Sequence, residues 1–269
     1  MSYPITFLVI AVLSLQAAFA AMPRYDDHLL PEASVYTDIR TLTGDKYSSV
    51  YADYEENVAR VLIDAFNDSV VARVVVLPSF EPEYAVGLTL QDGNYAILVL
   101  EASTQLVNFE HLEMMRAGAY RQADDLDGSK QAAEIKDIES QLPASRKDVA
   151  VKRCERKVSE RVGAKLYTLW SEMLFRTRYP DLRPANADAP PAPLGLHIDG
   201  TAYHFSFEYP GFTLAGKIHS PTEESITGRF VAITRLMKDA CHAEDNEGLI
   251  VDLEHHVDEL TARLSKTVY

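Results

Sequence analysis

Along this chain the spacing of apolar residues switches repeatedly between a helical and a strand period, and the switches mark its elements. "SSVYADYEENVARVLIDAFN" (48–67) puts Val50, Tyr54, Val58, Val61, Leu62 and Ala65 on one side at helical spacing. It predicts an amphipathic helix. "SVVARVVVLPSF" (69–80) is a β-branched run stopped by Pro78, and "YAVGLTLQDGNYAILVLEA" (84–102) reads as two strands about an Asp92-Gly93 turn. With Gln91 facing Asn94, apolar residues occupy both faces of that hairpin, so the sheet is expected to be mostly covered.

The pattern then predicts a helix over 104–118, a polar loop over 119–130, a short helix over 131–142 and a strand over 148–154. "VSERVGAKLYTLWSEMLF" (158–175) carries the clearest helical stripe, Val158, Val162, Leu166, Leu169, Trp170 and Met173, with the single Trp expected as a core anchor. Five prolines in "YPDLRPANADAPPAPLG" demand an extended connection. We therefore divide the chain into 1–20, an N-terminal region 21–180, a Pro-rich connection 181–194 and a C-terminal region 195–269. The two flanking regions are either separate or one domain. After the connection come a β-meander, a helix over about Glu224–Ala240 and a last helix over about Glu247–Ser265. The order of elements predicts an α+β fold, with antiparallel β-sheet packed by amphipathic helices.

The meander, "HIDGTAYHFSFEYPGFTLAGKIHSP" (197–221), contains enough alternation to fix its own register. Burying Tyr203, Phe205 and Phe207 together with Leu214, Gly216 and Ile218 sets Phe207 opposite Leu214 and Phe205 opposite Gly216, around the turn Tyr209–Phe212. His219 then faces Ala202. A two-residue Asp199-Gly200 turn would bring His197 to Ala202 from the other side, and His204 would lie one row along, opposite Lys217. Two readings follow. The polar residues form the solvated face of the sheet, or His197, His204 and His219 form a metal or catalytic site, two imidazoles reaching over the small Ala202.

Composition changes this picture in three ways. "MSYPITFLVIAVLSLQAAFA" is uncharged and ends in Ala18-Phe19-Ala20, which predicts a cleaved export signal, or a retained anchor, and hence a periplasmic or secreted location. An exported chain meets an oxidising compartment, so the only two cysteines, Cys154 and Cys241, are expected to pair rather than remain as separate buried thiols. The net charge of −14 argues against nucleic acid and anionic membrane surfaces. Yet residues 146–183 hold eleven Lys or Arg against five Asp or Glu. That basic segment either solvates a helix face or docks an acidic partner, with Arg153, Arg156, Lys157 and Arg161 as candidate contacts.

Other candidate chemistry is weaker. "ADDLDGSKQAAE" (123–134) has the outline of a calcium loop but begins on Ala123 and carries Lys130 at its eighth position. Asp252 with His256 and His255 with Glu259 stack four apart on a helix, and Glu81, Glu83 and Glu101 are imaginable acid/base groups. There is no GxSxG elbow, phosphate-binding loop, GxGxxG turn or papain-like cysteine context, and no cofactor is implied. The sequence predicts an exported protein that acts by binding another protein, as an envelope accessory, an inhibitor or an immunity-type protein. The alternative is a metal-dependent or hydrolytic enzyme on the histidine face.

Overall fold

The β-branched run forms β2 (Val70–Pro78), the middle strand of a seven-stranded antiparallel sheet in a computed structural model that describes residues 27–31, 50–116, 128–178 and 200–266. On one side β2 pairs with β3 (Tyr84–Gln91), then β4 (Asn94–Ala102) and β5 (Val151–Lys157). On the other it pairs with β6 (Thr201–Tyr209), then β7 (Phe212–His219) and the short β1 (Leu30–Pro31). Strands from before and after residues 181–194 therefore share one sheet. The expected signal (1–20) and the connection itself lie outside the described residues.

Both faces of the sheet are covered, because its strands are apolar on both. One face carries Val74, Val86, Ile97, Val99, Phe205 and Phe207 under α4 (Glu160–Phe175), α5 (Ile226–His242) and α6 (Glu247–Lys266). Trp170 of α4 is fully buried there, its ring 4.8 Å from Phe230 and 6.1 Å from Phe205. The opposite face carries Val75, Ala85, Leu98 and Leu100 under α1 (Val50–Val61), the 3₁₀ turn Ile63–Phe66, and α2 (Val107–Arg116). α3 (Gly128–Gln141) packs on α2. The class is thus α+β, an antiparallel sheet between helical layers.

Local chemistry sets the helix starts. Ser159 and Ser225 each turn a side-chain oxygen onto the first turn of α4 and α5, accepting from the N–H groups of Val162 and Gly228. The predicted β6–β7 register is observed, with Phe205 opposite Gly216, Phe207 opposite Leu214 and His219 opposite Ala202. The Cys154 and Cys241 sulfurs lie at disulfide distance, with Cα atoms 6.0 Å apart, and join edge strand β5 to the end of α5.

Three expectations need correction. The flank of β6 expected for residues near His197 is occupied by β2, and Leu77 is the neighbour of Ala202 there, so no His197–Ala202–His219 row forms. Seven register pairs along an apolar strand outweigh what a two-residue turn can offer. The strand expected at 148–154 begins at Val151, after a 3₁₀ turn at Arg146–Asp148. Residues 128–130, expected at the end of the polar loop, are already the first residues of α3.

Candidate functional site

The face of β6 that bears His204 and Ser206 is buried, not solvated: they are 6% and 5% exposed. Helix α1 lies over it, and Glu55 Oε1 stands 3.9 Å from His204 Nε2. The alternation correctly separated the two faces, but no local pattern reveals that a distant helix covers the polar one. His219 ends β7, and His197 lies outside the described residues. Among the described residues, no group of three or more His, Cys, Asp or Glu is arranged to hold a metal.

The cations of the basic segment are spread along edge strand β5 and the start of α4. Arg153 pairs with Asp64 and Glu155, at 2.8 and 2.7 Å. Arg156 donates to the carbonyls of Cys241 and Ala243, and so fastens β5 to the end of α5 beside the cysteine pair. Arg161 reaches Glu254 of α6 at 2.6 Å, while Lys157 is exposed. Charged side chains along this edge also discourage another strand from pairing there.

The carboxylates singled out from the sequence have separate tasks. Glu83 is fully buried and accepts from the N–H groups of Leu106 and Val107 and from the Tyr54 hydroxyl, at 2.6, 3.0 and 2.6 Å. It neutralises the N-terminal end of α2 and ties α1 to it. Glu101 accepts from Lys238 at 2.6 Å and lies 2.7 Å from His242 Nε2. His256 contacts the Asp252 carbonyl of its own helix, and His255 lies 3.7 Å from Glu259.

Sequence reasoning missed a cleft of about 1010 Å³ between α1, α2, α3 and the turn at Arg146. Its floor is apolar, formed by Val61, Phe109, Leu112, Leu142, Pro143 and Val149. Around it stand the cations Arg60, Arg116, Arg146 and Lys147 and only two lining carboxylates, Glu113 and Glu139. Arg146 is fixed by Glu110 and Glu113, at 2.9 and 3.0 Å, and lies over the Phe109 ring. Burial lowers the Arg146 pKa, but bonds and charges from these two carboxylates outweigh it and raise the net value. Its Nε–H is buried without a hydrogen-bond partner among the described residues. Arg116 pairs with Glu139, linking α2 to α3. Lys147 is exposed and has no carboxylate within ion-pair distance among the described residues. The only hint in sequence was that Arg146 and Lys147 open the basic segment. The helices that complete the cleft come from up to ninety residues away.

The architecture defines a class, an antiparallel sheet between helical layers with an apolar-floored cleft, rimmed by ion pairs and the exposed Lys147, on one of them. Comparisons with protein-family models, with curated proteins and with solved structures return no match. No helix among the described residues is long and apolar enough to cross a membrane.

Proposed function

We propose that this is an exported, non-catalytic binding protein, an envelope accessory, inhibitor or immunity-type protein, whose cleft receives an acidic, apolar-faced segment of a partner protein. The carrying observation is the cleft itself: an apolar floor rimmed by Arg60, Arg116 and Arg146, each held by a carboxylate of the same layer, and by the exposed Lys147, which has none at ion-pair distance among the described residues. Apolar burial supplies the affinity of such a contact, and the cations orient the partner and speed its approach. The uncharged composition of residues 1–20 and the cysteine pair at disulfide distance support an oxidising location.

The test is affinity capture of the partner from an envelope extract at low and high salt, with wild type beside Lys147→Glu and Leu112→Glu. A partner that binds at low salt, weakens at high salt and is lost with either variant supports the reading. Recovery that ignores both substitutions, or no partner at low salt, refutes it.

A further inference from the structure

A second pocket, of about 340 Å³, opens where the end of β2 and the starts of β3 and β6 meet α5. The strand register explains its shape. Val76 faces Tyr84 on one side and Tyr203 on the other, so three side chains form one row with the smallest in the middle. The two tyrosines stand two strand spacings apart, about 9.6 Å at Cα, and the recess lies over Val76. Both rings are buried, at 8% and 2% exposed.

Helix α5 closes the recess from above. Arg235 donates to the Tyr203 hydroxyl at 2.9 Å, which leaves that hydroxyl its own proton to donate. Lys238, one turn on, sits 4.0 Å over the Tyr84 ring and is occupied by Glu101. Arg235 has no carboxylate within ion-pair distance among the described residues, and the Tyr84 hydroxyl has no hydrogen bond among them. Burial, reinforced by the neighbouring Tyr203, pushes the Tyr84 phenol well above its usual value, so it stays a donor at neutral pH. The recess therefore presents a guanidinium that no carboxylate of the described residues reaches at ion-pair distance, and two phenolic O–H groups. Glu81 on the rim sets a limit, since it disfavours a second negative charge. Phe80, 78% exposed, offers a ring at the mouth.

We propose that this pocket binds a small monocarboxylate with an aromatic or short aliphatic body, its carboxylate held by Arg235, Tyr84 and Tyr203 and its body covered by Phe80. Arginine with hydroxyl donors suits a planar carboxylate, and the volume admits a body of about one ring.

Titration calorimetry of the full chain with benzoate, hexanoate and inorganic phosphate tests this. Benzoate or hexanoate is expected to bind, phosphate more weakly. Arg235→Gln should weaken carboxylate binding at least about tenfold, and Tyr84→Phe about threefold to tenfold. Because Arg235 lies on the exposed side of α5, its variant should still fold, with at most a fall of a few degrees in melting temperature from the lost Tyr203 bond. Arg235→Lys, which keeps the charge without the fork, should retain part of the affinity. The proposal is overturned if neither carboxylate binds at millimolar concentration, if binding survives Arg235→Gln unchanged, or if phosphate is preferred.

Discussion

Replacing Glu83 by Gln keeps the shape of a fully buried side chain and removes its charge, which isolates what the carboxylate does for the helical layer around the cleft. Glu83 Oε2 accepts from Leu106 N–H, and Oε1 from both Val107 N–H and the Tyr54 hydroxyl. A glutamine has one acceptor oxygen, so its less costly orientation keeps Oε1 and turns the NH₂ toward Leu106. That leaves two buried donors facing each other, at roughly 1–3 kcal/mol for an unsatisfied group. It also removes an anion from a helix N-terminus, worth about 0.3–2 kcal/mol. Relief from burying the charge offsets part of this, and a net loss of about 2–4 kcal/mol is expected. Urea unfolding followed by emission of the single, buried Trp170 measures it. Because α2 forms a wall of the cleft, Glu83→Gln should also weaken partner binding more than its global destabilisation explains. A stability loss under about 1 kcal/mol, with unchanged binding, would refute the assignment of Glu83 as the anchor of α2.

Three further outcomes are expected. Reduction of the Cys154–Cys241 pair, which spans 87 residues, should cost about 4.6 kcal/mol in the loop-entropy account; a urea midpoint indifferent to reductant would contradict a closed disulfide. At Glu101, burial alone would raise the carboxyl, but the Lys238 hydrogen bond and the charges of Lys238, His242 and Lys152 outweigh it and hold the group low. Its stabilisation is complete above the unfolded value and fades as pH falls from 4.5 through the lowered folded value. Lys238→Met should therefore flatten the acid limb of the stability profile, and an unaltered limb would count against the network. A Cβ at Gly228 would lie 1.9 Å from the Thr222 carbonyl oxygen, whereas one at Gly248 meets nothing within 4 Å. Gly228→Ala should lose about 3 kcal/mol and Gly248→Ala gain about 0.5–1 kcal/mol, compared by thermal melts.

Much of this fold could be read locally. The stripes of α4 and α6, the Asp92-Gly93 hairpin and the β6–β7 register follow from side-chain periodicity, because each element must present one continuous face for burial. The cysteine pair followed from the count of two and the expected oxidising location. By contrast, β1 is a two-residue strand, too short to show any period. The row expected around Ala202 failed while its counterpart, Tyr203–Val76–Tyr84, formed unannounced. Both results come from the docking of β6 onto β2, more than one hundred residues away in sequence.

The sequence by itself determined which residues share a face, roughly where most helices run and that the chain mixes a basic segment into an acidic whole. Only the tertiary structure decided what covers each face: α1 over His204, α5 over the tyrosine row, α3 and Arg146 across the cleft. The reason is physical. Facing within an element is set by bonds a few residues long, whereas the partner of a face is chosen by total burial summed over the whole chain.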